Sequence, residues 1–375
     1  MAKTFEITAK SQRSAPRRST SGMAVIMVMA VVLLLVTVAL ELHLNERSNL
    51  LNAAAMRDRM MLREMIKSGV HLAQAVLVRD RIDSESDSLQ EDWADEDTLA
   101  ALMGTIPFDQ GELKVQIIDE MGKIQINALV AFPEGQEFNQ NQYKLWENFS
   151  SKLFSAYELI EESEDLLEDT DPLTIINSVK DWLDSGDDDA ITGLSGAESD
   201  YYEDLDPPYA CKNGPFDHIS EIRLVKGFIP ALFDGFGGIP GISAYLTTYG
   251  AVEAKDEKFS FPGKININTA ELPVLAAMLP SDSSDFAELL VSYREAVDGT
   301  QYLNDLTRVD WYKGVPGFGS ITIDPDLLTV SSDTFQIIAT AKLNDTQTSA
   351  TVIVRRDREK ENDPWRCKVL NWKYD

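Results

Sequence analysis

The spacing of apolar residues changes character several times along the chain. Met23 to Leu40 (MAVIMVMAVVLLLVTVAL) is an uninterrupted apolar run of 18 residues, just long enough to cross a bilayer as a helix. From Glu41 to Arg79 apolar residues return at helical spacing: Leu51, Ala54/Ala55, Met61/Leu62, Met65/Ile66, Gly69/Val70 and Ala73. Charges lie between them and proline is absent. The pattern predicts one continuous helix from Met23 to Arg79, half suited to lipid and half to packing on a globular body. Alternation of period two then marks Glu112 to Ile118 (ELKVQII), a turn over Asp119–Gly122, and a second strand over Lys123 to Asn127. The same character returns in Thr334–Leu343, Thr348–Arg355 and Lys368–Trp372. Residues 128 to 327 between these blocks are mainly helical in pattern, with acidic and glycine-rich interruptions.

The expected fold is therefore α+β: a long N-terminal transmembrane helix on a small antiparallel sheet, with a large mainly α-helical domain inserted in that sheet. The expected divisions are a leader over 1–22, a membrane segment over 23–40 and the first part of the α/β core over 41–127. The insertion takes 128–327, and the C-terminal strands 328–375. Five basic residues (Lys3, Lys10, Arg13, Arg17, Arg18) precede the apolar run, and no acid lies between Lys10 and Gly22. That bias holds the leader in the cytoplasm and exports the chain beyond Leu40. An ordinary signal peptide would have a shorter apolar core and a small-x-small site, which Glu41-Leu42-His43-Leu44-Asn45 does not supply. A simple anchor fits the hydropathy but leaves the helix beyond it without a purpose. A prepilin-type leader, cut between Gly22 and Met23 by prepilin peptidase, accounts for all of these features.

Several separate stretches resemble the type II secretion minor pseudopilin K family, in order and in spacing. They are Asp119–Leu129 (DEMGKIQINAL), Val179–Asp184 (VKDWLD), Gly196–Tyr209 (GAESDYYEDLDPPY), Ile219–Phe228 (ISEIRLVKGF), Gly263–Leu279 (GKININTAELPVLAAML) and Trp372. The resemblance implies a pseudopilin core in the bacterial inner membrane before assembly, with the C-terminal domain in the periplasm. It implies a tip position on a short secretion pilus, with the I and J minor pseudopilins and the other pseudopilus subunits as partners. Most pilin-like proteins carry Glu at the fifth mature position, where it pairs with a neighbour's N-terminal amine. Here, as in the K family, that position is apolar, Met27. A subunit lacking this carboxylate needs no neighbour above it, because an unpaired carboxylate in lipid is what makes the pairing obligatory. The rival assignment is a type IV pilus minor pilin or another membrane-anchored periplasmic adaptor.

The formal net charge is −28, and cutting at Gly22 would leave −32. A surface this acidic repels nucleic acid and anionic lipid and attracts cations or basic partners. Ten carboxylates crowd Asp181 to Asp206, with glycines at 186, 193 and 196. They are either solvated separately or gathered around a hard cation. The Asp184-x-x-Asp187-x-Asp189 spacing is not that of an EF-hand. The resembled family binds calcium in this region, which implies a structural Ca²⁺ with Asp184, Asp187, Asp188 and Glu198 as leading ligands and Asp189 next. Ser185-Gly186 lengthens the spacing after Trp182-x-Asp184 beyond the family's usual one. The run from Glu158 to Asp171 reads as a solvated helix face. The two cysteines, Cys211 and Cys367, either form one disulfide in an oxidising compartment or stay unpaired.

Enzymatic signatures are missing from the sequence. His43, His71 and His218 are far apart, and no H-E-x-x-H, G-x-S-x-G or phosphate loop is present. Gly235–Gly241 (GFGGIPG) reads as a turn. Gly263 to Asp305 has the outline of a helix-hairpin-helix unit, but its hairpin, Pro280–Asp285, has two acids and no glycine. Phosphate recognition by backbone N–H groups is not expected there, and no nucleic acid is expected as a partner.

Overall fold

The computed structural model describes residues 21–160, 167, 170–186, 191–254, 258–358, 360 and 362–375. The chain divides into two compact units, one ending at Met61 and the other running from Leu62 to Asp375. Helix α1 spans Ser21–Asp83. Its stretch through the apolar run is exposed throughout and is long and apolar enough to cross a membrane. From Leu62 onward α1 buries one stripe, Leu62, Met65, Ile66, Val70, Ala73 and Leu77, the face its 3.6-residue spacing predicts. Gly69 lies in that stripe because a Cβ there would come within 2.9 Å of the Val115 side chain and 3.0 Å of Leu113. The helix therefore approaches the first strand so closely that a larger residue would have to push the Val115 and Leu113 methyl groups aside.

The sheet has four antiparallel strands, β1 (Glu112–Asp119), β2 (Thr334–Leu343), β3 (Thr346–Asp357) and β4 (Arg366–Tyr374), in that spatial order. The register runs from Glu112 opposite Lys342 to Asp119 opposite Phe335. β2 and β3 form a hairpin turned by Asn344 at φ 54°, the left-handed conformation that asparagine tolerates. The inward residues Val115, Ile117, Phe335, Ile337, Ala339, Val352 and Val354 close one hydrophobic core with the α1 stripe, Trp93 and α2 (Glu96–Met103). The Trp93 and Phe335 rings meet edge to face at 5.3 Å.

The strand predicted over Lys123–Asn127 is a correction. Only Ile124–Gln125 is extended, and it pairs in parallel with Leu246–Thr247 rather than returning on β1. The reason is local. The Asp119 carboxylate accepts from the Met121 N–H at 2.8 Å and bends the chain into a 3-10 turn, Glu120–Gly122. The chain thereby leaves the sheet, and the stretch from Glu120 to Asp333 forms a body with its own hydrophobic core. Helix α3 (Gln140–Glu158) crosses that core with Leu145, Trp146, Phe149 and Phe154 buried. It packs against α4 (Pro172–Leu183) and α5 (Leu272–Met278), and α6 (Ala287–Arg294) packs on α5. This body is less helical than the spacing predicts. Glycine and proline divert it into two-residue strand pairs such as Gly235–Phe236 with Ile239–Pro240. Of the acidic run expected as a solvated helix face, Asp171 instead caps α4 by accepting from the N–H groups of Leu173 and Thr174. Residues 161–166, 168 and 169 lie outside the described residues.

A buried polar network joins the inserted body to the sheet. Asn266 Nδ2 donates to the Asp87 carbonyl at 3.0 Å, to Asp119 Oδ2 at 2.9 Å and to Ser332 Oγ at 2.8 Å. Asn268 Nδ2 donates to the carbonyls of Asp87 (3.2 Å) and Leu306 (3.1 Å), while its Oδ1 accepts from Trp311 Nε1 at 2.7 Å. The ININTA stretch is thus the lock between entry and exit of the insertion. Arg356 closes the network from β3, with Nη1 donating to Asp80 Oδ2 at 2.8 Å and to the Leu77 carbonyl at 3.1 Å. Its Nη2 donates to the Ser332 carbonyl at 2.6 Å and to Asp87.

Burial holds two of these carboxyl groups above their ordinary range. Asp119 is pushed up to about 6 by burial, against the hydroxyl donors Ser332 and Thr269. Asp80 is pushed up to about 7 by burial and then by the charges of Glu91 and Asp87, against Arg356. Both groups bind protons more readily folded than unfolded. Their contribution to stability is therefore full below about pH 4 and lost as the pH rises through about 6 and about 7. In chelator, the melting temperature of the full chain should rise as the pH is lowered from about 8 to about 5.5. Asp80→Asn should flatten the upper part of that rise; an unchanged profile would show that Asp80 does not titrate in this window.

Candidate metal centre

Helix α4 begins with Pro172 at its first position and ends as its register delivers Asp181 on the last turn and Asp184 as the C-cap. Glu198 is the N-cap residue of the short helix Ser199–Glu203. One oxygen from each of Asp181, Asp184 and Glu198 lies within 4.8 Å of the other two, and all three residues are buried. Oxygens on opposite sides of a Ca²⁺ ion, each at about 2.4 Å, are separated by about that distance.

The loop is held shut through Asp181. Its carboxylate accepts from Thr192 N at 3.1 and 3.0 Å and from Ala197 N at 2.8 Å. Burial raises the Asp181 pKa against these donors. Asp184 is neutralised by Lys180, whose Nζ donates to Oδ2 at 2.6 Å, and its Oδ1 accepts from Gly186 N at 3.2 Å. Gly196 is required sterically, since a Cβ there would fall 2.0 Å from Asp181 Oδ2. Behind the carboxylates is an aromatic wall. Trp182 meets Tyr202 edge to face at 5.2 Å and stacks on Phe216 at 6.3 Å, and Tyr202 stacks on Tyr209 at 5.4 Å. Burial raises the Tyr202 pKa, so the ring stays neutral.

Of the ligands read from the sequence, Asp184 and Glu198 converge. Asp187, Asp188 and Asp189 lie outside the described residues. Asp181 belongs to the cluster although the sequence reading does not select it as a ligand. Its signal is the i, i+3 spacing to Asp184, which places both carboxylates at one end of one helix. An all-oxygen, buried, tri-carboxylate set fits a hard divalent cation better than a soft one. A second acidic group, Asp80, Asp87 and Glu91, is also close enough to hold an ion; there Arg356 bonds two of the three carboxylates, whereas in the first cluster Lys180 bonds only Asp184.

The disulfide left open by the sequence does not form: Cys211 and Cys367 are both free thiols. Cys211 is buried in the insertion core, with its Sγ 3.5 Å from the Asp181 carbonyl. Cys367 packs against the sheet core, 3.7 Å from the Gln74 carbonyl. Burial pushes Cys211 up to about 12 and Cys367 up to about 11, so neither is a reactive thiolate. At the other end of the chain, Gly22, Met23 and Met27 all lie in α1, with Met27 exposed.

Two models of the family described as "Type II secretion system (T2SS), protein K" match residues 122–236 and 265–331. The type II secretion system protein K of Pseudomonas aeruginosa is 29% identical over 338 residues, covering 88% of this chain and 86% of that protein. The protein K of Aeromonas hydrophila is 27% identical over 274 residues, 70% of each chain. Among solved structures, a chain of the GspK-GspI-GspJ complex from the enterotoxigenic Escherichia coli type 2 secretion system has the same fold. The TM-score is 0.56 at 17% identity, over 86% of this chain and 99% of that one. Together these matches support a minor pseudopilin of the type II secretion system, and the long apolar helix is consistent with a single-pass membrane anchor. The chain is thus similar, over most of its length, to the type II secretion system protein K family.

Proposed function

We propose that this protein is the non-enzymatic tip subunit of a short secretion pilus, assembling with I- and J-type minor pseudopilins and supporting export across the outer membrane. The observation that carries the reading is Met27, the fifth residue after Gly22, in a helix with no carboxylate from Met23 to Leu40. Such a helix demands no partner above it in the fibre. The bulk inserted from Glu120 to Asp333 supports the same placement, because packed helices leave each subunit little lateral room. The E. coli relative of this fold was solved with GspI and GspJ. Before assembly the helix is held in the inner membrane with the globular body in the periplasm, after prepilin peptidase has cut between Gly22 and Met23.

Mass spectrometry of the protein purified from membranes, with and without prepilin peptidase, tests the reading. The expected mature N-terminus is Met23, methylated, only when the peptidase is present. An intact leader, or cleavage beyond Leu40, would overturn the assignment. So would intact exoprotein export, with twitching or adhesion lost, after deletion of the gene.

In this role the acidic loop is closed by one structural Ca²⁺ held by Asp181, Asp184 and Glu198, with Asp187, Asp188 and Asp189 in the adjoining segment. The ion supplies charge neutralisation and no chemistry. Calcium at a hundred times its dissociation constant should stabilise the full chain by about 2.7 kcal/mol. Asp181→Asn should abolish that gain in thermal melts, whereas an equal calcium response in the variant would remove Asp181 from the site.

A further inference from the structure

An apolar groove lies beside the acidic loop, and none of Asp181, Asp184 and Glu198 lines it. Phe138 and Tyr143 border it at the start of α3, Leu173 and Asn177 line it from α4, and the Gly193–Ser195 segment forms its lip. It encloses about 560 Å³, within the range of about 300–1,000 Å³ usual for binding pockets. Leu194, at the lip, is 99% exposed, more than any other large hydrophobic among the described residues; Leu173 is 50% exposed.

This exposure is built into the loop. Thr192 N and Ala197 N both donate to Asp181. Asn177 Nδ2 donates to Ser195 Oγ at 3.2 Å. Gly193 adopts φ +63°, with Asn177 Nδ2 2.9 Å from where its Cβ would stand. The backbone on both sides of Leu194 is fixed, so the side chain is presented to solvent rather than folded back into the groove.

Charge selects the occupant. Between Glu120 and Asp333 the sequence has 39 acidic and 13 basic residues, so the inserted body carries −26 of the total −28. Among the described residues, the one charged side chain on the groove wall is Asp171. A second copy of the chain would bring an equally acidic body, and an anionic lipid surface would be repelled. We infer that this groove docks an apolar segment of another protein flanked by lysine or arginine, with Leu173 and Leu194 gripping the apolar residues and the acidic body holding the basic flanks.

The test uses the full chain in nanodiscs of zwitterionic lipid at near-physiological salt. The probe is a labelled peptide, Lys-Lys-Ser-Leu-Ile-Leu-Ser-Lys-Lys, read by fluorescence anisotropy. Saturable binding is expected, weakened at least about tenfold (about 1.4 kcal/mol) in a Leu173→Ser/Leu194→Ser variant. Leu289→Ser, a change at an exposed leucine on α6, should leave binding unaltered. A peptide with its three apolar residues changed to serine should lose binding while keeping every lysine. Equal binding by the double variant, or by the serine peptide, would mean that charge alone acts and would overturn the inference. Absence of saturable binding would overturn it equally. Concentration-dependent dimers in sedimentation, lost in the double variant, would replace the proposed partner with a second copy.

Discussion

Replacing Arg356 by leucine is expected to lower the unfolding free energy by about 3–5 kcal/mol, the cost of leaving buried charges without their partner. The guanidinium is almost wholly buried and bonds Asp80, Asp87 and the carbonyls of Leu77 and Ser332, and it stacks over the Phe335 ring at 4.6 Å. Leucine fills part of the volume but supplies none of the donors. Asp80, Asp87 and Glu91 would then crowd one another in a medium where water cannot separate them. Urea unfolding of the full chain in detergent, at constant m, measures the loss. Adding Asp87→Asn to the variant should recover part of it, with a coupling of about 0.5–3 kcal/mol. A loss below about 1 kcal/mol would mean that the network relaxes or admits water. Arg356 would then not be what ties β3 to the end of α1.

The second large effect is expected at Gly196. An alanine Cβ would stand 2.0 Å from Asp181 Oδ2 and 2.8 and 2.9 Å from the Thr192 backbone. Neither the carboxylate nor the backbone can yield without breaking the bonds from Thr192 and Ala197. Gly196→Ala should cost about 1–3 kcal/mol by overpacking. It should also weaken calcium binding at least about tenfold, by displacing Asp181. Gly319→Ala, where nothing among the described residues lies within 4 Å, is the matched control and should be close to neutral in both measurements. Calorimetric titration with calcium separates the outcomes. Destabilisation with unchanged affinity would place the ion away from Asp181.

The division of labour between sequence and tertiary structure reflects the range of the interactions. Local spacing is enough for α1 and the long strands, because burial of one face forces periods of 3.6 and 2 on the residues themselves. The strand read over Thr334–Leu343 is the observed β2, and the α1 stripe from Leu62 to Ala73 is the one read from the spacing. Composition and hydropathy are likewise enough to show an acidic chain with one helix long and apolar enough to cross a membrane and no enzymatic motif, and the family resemblance lies in motifs whose order is written along the chain. The fate of Ile124 is not local. Whether it returns on β1 or leaves for Leu246 depends on a turn held by Asp119, itself fixed by Asn266, Thr269 and Ser332. The proposed cation ligands divide in the same way. Asp184 and Glu198 are among the carboxylates that the resemblance implies, but only folding shows that Asp181 joins them and is bonded to both sides of the loop. The cysteines stay open in the sequence because two thiols give no sign of which core each will enter. Such choices are made by contacts between residues distant in sequence, whose geometry exists only once the cores have closed.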